Sequence, residues 1–296
     1  MKTAHDDIFG SDFLERLEYL RVAARRVFTG TAAGSRTGRR TGPGLEFAEH
    51  RAYAAGDDYR YVDWAAYGRL ERLLLRLCQQ EEDLSIYFLL DTSASMATGR
   101  PPKFDHARRL AAALAYVGLA SLERVRIVSF GAEVGAHLEA GRGKSHLVGV
   151  LDFLRGLRAG GPTDLERAVQ TFLPHAPRAG LAVLISDLMD EAGYQRPLIT
   201  LQTRGFDAWC LHVTDPSDVA PEGLGDLALE DAETGRVLGV HLTAEVRERL
   251  VAEAARFAAD AKAWCLGRGI GYAEAATAVP VDEFVLGVLR RGGFLA

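Results

Sequence analysis

The stretch LSIYFLLDTSAS, residues 84–95, decides the fold. Ile86 to Leu90 form an unbroken apolar run with no polar alternation, which reads as a strand buried on both faces. The run stops at Asp91 and passes into a loop of hydroxyl side chains. The same pattern recurs at RVRIVSFG (124–131), GLAVLISD (180–187), FDAWCLHV (206–213) and GIGYAEAA (269–276). Helical periodicity separates these runs, at 103–120, 145–157, 164–173, 194–204, 243–266 and 281–291. Alternation of this kind predicts an α/β domain with a doubly wound, mostly parallel, Rossmann-like sheet between two helix layers.

Two segments break the alternation. EVGAHLEA (133–140) follows its predecessor too closely for a crossover helix and predicts a short antiparallel edge strand. Residues 225–242 predict a β-hairpin insertion turning at Thr234-Gly235. Helix 243–266 is expected to start at a Thr243 cap and to bury Val246, Leu250, Phe257, Ala261 and Trp264.

Upstream, residues 1–83 form a smaller, less regular region, and 84–296 the α/β domain. Ser11 is a plausible cap for an amphipathic helix over 11–28, with Phe13, Leu17, Leu20, Ala24 and Val27 on one face. Six arginines and no acid lie between Arg21 and Gly44, Arg36, Arg39 and Arg40 among them, in a Gly/Thr-rich loop. That patch is a solvated loop or a docking surface for an acidic partner. EFAEHRAY and LLLRLCQQ read as strands around a polar, aromatic loop. In that loop Asp57, Asp58 and Asp63 are expected to cap or to pair with Arg60, while Tyr61 and Trp64 pin the turn to a core. A partner-binding role for this block is the alternative.

Composition bounds the function. The chain has 296 residues, 48% hydrophobic and 25% charged, which is ordinary for a globular protein. A net charge of -5 argues against strong attraction to nucleic acid or anionic membranes. Cys78, Cys210 and Cys265 form no CxxC pair, as expected for buried thiols in a reducing compartment. No apolar run suits a membrane span or a secretory signal, so a cytoplasmic protein is the simplest expectation.

In an open α/β sheet, ligands bind at the carboxyl ends of the strands. Here those ends carry Asp91, Ser93 and Ser95, then Thr163 before a helix, then Asp187. Every donor is oxygen, which suits Mg²⁺ or Mn²⁺. Asp164 is expected to cap its helix, and Ser186 to satisfy a backbone group. Lys103, Arg108 and Arg109, on the following helix, read as a solvated face.

The DTSAS loop with Thr163 and Asp187 resembles the metal-ion-dependent adhesion site of von Willebrand factor A domains. The block YAAGDDYRYVDWAAYGRLERLLLRLCQQEED (53–83) ahead of it resembles the family called domain of unknown function 58. The first resemblance implies strand order 3-2-1-4-5-6 and Mg²⁺ or Mn²⁺ held by Asp91, Ser93, Ser95, Thr163 and Asp187. The second implies an adaptor acting with a MoxR-type AAA+ ATPase on a client protein. No P-loop, G-x-S-x-G or H-E-x-x-H motif is present, so a non-enzymatic role is expected. The alternatives are a Mg²⁺-dependent phosphohydrolase using Asp91 and a nucleic-acid accessory protein using the 21–40 arginine patch.

Overall fold

A computed structural model describes residues 8–20, 41–42, 46–54, 57–79, 84–218 and 223–290. The chain forms two compact units, one of residues 1–31 and 84–295, the other of 32–83 with residue 296.

The large unit is built on a six-stranded sheet. Its strands are β4 (Ser85–Asp91), β5 (Arg124–Phe130), β6 (Val134–Gly141), β7 (Leu181–Ser186), β8 (Asp207–Thr214) and β11 (Gly271–Ala276). They lie in the order β11-β8-β7-β4-β5-β6, which is the expected 3-2-1-4-5-6 read from the other edge. All pairs are parallel except β5–β6, which is antiparallel and broken by two register shifts.

Side chains leave β4 alternately to the two faces. Ile86, Phe88 and Leu90 join one core with α3 (Lys103–Ala120), α4 (Leu147–Gly156) and α8 (Val281–Arg290). Tyr87 and Leu89 join the other with α5 (Leu165–Phe172), α6 (Gln195–Thr203) and α7 (Ala244–Leu266). Each such side chain, fully buried, contributes about 1.5–3 kcal/mol. Helix α3 lies very close to the sheet. A Cβ on Gly118 would meet Ile86 Cδ1 at 2.9 Å, so a larger residue there would force the Ile86 side chain to shift.

Strands β9 (Gly225–Glu230) and β10 (Val237–Leu242) form the hairpin, as a separate two-stranded sheet. Its tip is an Asp231-centred turn: Asp231 Oδ1 accepts from the Glu233 and Thr234 amides and the Thr234 hydroxyl, and Gly235 takes a φ of 69°. Helix α7 differs from expectation in its first half. Ala258, Ala261 and Cys265 are buried, but Val246 is only half-buried and Leu250 is exposed. The apolar stripe at its start therefore remains at the surface.

Helix α1 is helical over residues 11–20 and belongs to the α/β unit, not with residues 32–83. Phe9, Leu17 and Leu20 enter the same core as α3, which draws this helix out of the expected 1–83 region. Gly10 rather than Ser11 precedes its first turn, its carbonyl accepting from the Leu14 amide. The expected helical residues 21–28 lie outside the described residues, as do Ala24 and Val27.

In the smaller unit, β1 (Thr41–Gly42), β3 (Leu74–Gln79) and β2 (Glu46–Ala52) form an antiparallel sheet in that order. The supposed polar loop between β2 and β3 contains helix α2 (Trp64–Leu70), capped by Asp63, which accepts from the Ala66 amide at 2.9 Å. Tyr61 and Trp64 do not pin it to a core. Trp64, the first helical residue, is 61% exposed, and Tyr61 is exposed as well. Val62, Ala66 and Leu75 are the buried side chains of this segment.

Candidate functional site

Strand β4 delivers Asp91 to the carboxyl edge with no exposed surface. Its Oδ1 accepts from the Ser93 amide at 2.8 Å, and its Oδ2 from the Ser186 hydroxyl at 2.6 Å. Ser93 and Ser95 share a hydrogen bond of 3.0 Å, so alternate side chains of the loop face one point. Backbone bonds lock this loop to the one before α5: Ala94 N donates to Gly161 O at 2.9 Å, and Gly160 N to Thr92 O at 2.8 Å. Thr163 stands on that second loop, and Asp164 caps α5 through the Arg167 amide, as expected.

Burial, reinforced by the charge of Asp187, pushes the Asp91 carboxyl up to about 7. Asp187 comes from the end of β7, where Leu188 is held at a φ of 61° although buried. A left-handed backbone at such a residue costs about 1–2 kcal/mol, and strain of this kind gathers at functional sites.

Lys103 is not on a solvated face. It is 2% exposed, and its Nζ donates to Asp187 Oδ2 at 2.8 Å and to Asp218 Oδ2 at 2.5 Å. Burial works against its charge, but the two carboxylates outweigh this and raise its pKa. Arg108 and Arg109 are also engaged, donating to the carbonyls of Leu154 and Ile8. Behind the site, the buried His212 bonds the Tyr272 hydroxyl through Nδ1.

The hairpin supplies a residue that sequence reasoning missed. Glu233 Oε2 accepts from the Thr163 amide at 2.9 Å, and the Ser95 side chain is within hydrogen-bonding reach of the same carboxylate. Glu233 Oε1 and Thr163 Oγ1 are both buried and have no hydrogen-bond partner. Seventy residues separate the two (233 − 163), and nothing in the local sequence DAETG marks the glutamate. Ser186 satisfies a backbone group, the Leu188 amide, as expected, and holds Asp91 as well.

The five expected residues therefore come together on one edge, with Glu233 added. Among the described residues, no cluster of three or more His, Cys, Asp or Glu side chains is arranged to hold a metal. The donor set is instead two carboxylates and three hydroxyls. It fits a hard divalent cation on two counts: Asp91 is a buried carboxyl that meets only the Ser93 amide and the Ser186 hydroxyl, with no ammonium of its own among the described residues, and the Thr163 hydroxyl is unpartnered.

The other expected positions lie in the smaller unit. Asp58 pairs with Arg60 at 2.6 Å as expected. Asp57 instead takes the Ala54 amide and Arg51, which hold its carboxyl below the usual range. Asp63 is occupied by the α2 cap and by His50 at 2.9 Å. These acids hold the local turn; Trp64, with Tyr67 edge-on against it, is exposed, as are Tyr59 and Tyr61. Arg36, Arg39 and Arg40 lie outside the described residues. Cys210 and Cys265 are free and buried. No helix of the described residues is long and apolar enough to cross a membrane.

Comparison with known proteins gives relatives along most of the chain. "Uncharacterized protein Rv1480" of Mycobacterium tuberculosis is 28% identical over 259 residues, covering 86% of this chain and 81% of its own. "Uncharacterized protein Mb1516" of Mycobacterium bovis matches to the same extent, 28% over 259 residues, 86% and 81%. Among solved structures, the conserved hypothetical protein BatB from Bacteroides thetaiotaomicron aligns with a TM-score of 0.43 at 16% identity, over 70% of this chain and 98% of that one. The family described as "Protein of unknown function DUF58" matches residues 49–260, and the chain belongs to it.

Proposed function

We propose that this chain is a non-catalytic protein-interaction module that captures a carboxylate of another protein through a metal-ion-dependent adhesion site. The convergence of Asp91, Ser93, Ser95, Thr163 and Asp187 at one sheet edge carries this reading. Those five residues would hold Mg²⁺ or Mn²⁺, which when bound supplies an electrophilic centre for an incoming acid. The hydroxyls of Ser93, Ser95 and Thr163 keep the local negative charge low. Ser186 and the Ser93 amide orient Asp91, and Lys103 neutralises Asp187, so the site is positioned before a ligand arrives. Full burial of Asp91, with both oxygens hydrogen-bonded, supports a holding role over a nucleophilic one.

The partner we favour is a MoxR-type AAA+ ATPase, with the assembly or remodelling of a client complex as the output. The test uses the full chain and its Ser93→Ala/Ser95→Ala variant, each with Mg²⁺ and with EDTA, as bait for a purified MoxR-type ATPase. Retention by wild type with Mg²⁺ alone is the expected result. Equal retention in all four samples overturns the metal bridge, and no retention in any overturns the choice of partner.

A further inference from the structure

Glu233 is the one tip residue of the hairpin that is not exposed; Asp231, Ala232, Thr234 and Gly235 all are. The turn that presents it is pinned by three hydrogen bonds to Asp231 Oδ1, so its placement is built in. The Thr163 amide holds the carboxylate against the loop that carries Thr163, one of the proposed ligands. Its Oε1 and the Thr163 Oγ1 are buried without partners in the same place. A carboxylate can only accept, so burying this oxygen without a donor is costly unless a cation takes its lone pair.

We infer that Glu233 occupies, from within the same chain, the position that a partner's carboxylate takes at the site. The hairpin is thus a built-in competitor: its glutamate completes the coordination shell in the free protein, and an incoming acid must displace it. This inference rests on the proposed metal site and adds to it a sixth ligand and a glutamate-length side chain as the preferred ligand chemistry.

Mn²⁺ alone is the probe, on the full chain, read by electron paramagnetic resonance for affinity and by water-proton relaxation for exchangeable waters on the ion. Four variants are compared with wild type: Glu233→Gln, Glu233→Ala, Ser93→Ala/Ser95→Ala, and Asp226→Asn. The last removes a charge from an exposed position of the same hairpin and serves as the control. Glu233→Gln is expected to weaken Mn²⁺ binding about tenfold, equivalent to ~1.4 kcal/mol. It should also add one exchangeable water, while Asp226→Asn changes neither. With EDTA present, Glu233→Ala should speed hydrogen exchange of the Thr163 amide. If Ser93→Ala/Ser95→Ala abolishes Mn²⁺ binding but Glu233→Gln alters neither affinity nor water number, the inference is overturned and the metal site stands. Failure of wild type to bind Mn²⁺, or binding indifferent to Ser93→Ala/Ser95→Ala, overturns both. An effect of Asp226→Asn equal to that of Glu233→Gln reduces the result to general electrostatics and also overturns the inference.

Discussion

Lys103→Met removes one ammonium and keeps most of the aliphatic stem. In the folded protein that ammonium is 2% exposed and faces two carboxylates, of which Asp187 is itself 2% exposed. Taking away one member of a buried ion pair leaves an uncompensated charge and costs about 3–5 kcal/mol. With a urea m-value of about 2–3 kcal/mol/M, the unfolding midpoint should fall by about 1–2.5 M at unchanged m. The assay is urea denaturation of the full chain followed by fluorescence at pH 7. Asp187→Asn in the same background removes the stranded charge, so the double variant should recover about 2 kcal/mol relative to additivity. Should the single substitution shift the midpoint by less than ~0.3 M, or the two substitutions prove simply additive in the double variant, then the pair does not organise the site as described. A divalent cation gives a further reading. If Mg²⁺ binds beside Asp187, it should raise the midpoint of Lys103→Met.

His106 is 5% exposed, and burial, with help from Arg109, lowers its pKa from 6.5 to about 4. The unfolded chain therefore binds a proton at this residue between those values that the folded chain does not. Stability should be full above pH 6.5 and fall by up to about 3 kcal/mol on reaching pH 4. His106→Leu should flatten that part of the stability–pH curve, and an unchanged slope would count against the assignment. Gly161 takes a φ of 83° with open space where a Cβ would stand, so Gly161→Ala should cost only the backbone term, about 1–2 kcal/mol, read as a lower Tm. Asp63→Ala removes the α2 cap and the His50 partner. It should destabilise the 32–83 unit by about 1 kcal/mol, seen as faster proteolysis there with residues 84–290 unaffected.

From residue 84 onward the fold was legible because burial on both faces leaves little ambiguity. The 103–120 helix has the observed bounds, and the antiparallel edge strand and the hairpin were both visible. Asp91 and Asp187 could be placed because each stands at the carboxyl end of a strand, Ser93 and Ser95 because they follow Asp91 in one loop, and Thr163 because it precedes a capped helix. Two kinds of residue escaped. Helix α2 spans seven residues, too few for a 3.6-residue period to emerge, and only its Asp63 cap announced it. Lys103 and Glu233 owe their roles to partners far along the chain, Asp187 and Asp218 for one and Thr163 for the other. A charged residue at a helix start or a turn tip has no local signature for that. The same holds for α1, whose Leu17 and Leu20 belong to a core assembled mainly from residues beyond 84.

Strand β6 has a consequence for recognition. It runs against its neighbour, slips register twice along it, and keeps most of its side chains exposed, Glu139 among them at 79%. A rim of this kind is a poor template for a further strand, because kinked pairing and charge both discourage an extended peptide from zipping on. Visitors are thus steered away from augmenting the sheet at that margin. What the domain offers instead is a point contact at the strand tips, where selectivity rests on one acidic group and the shape around it.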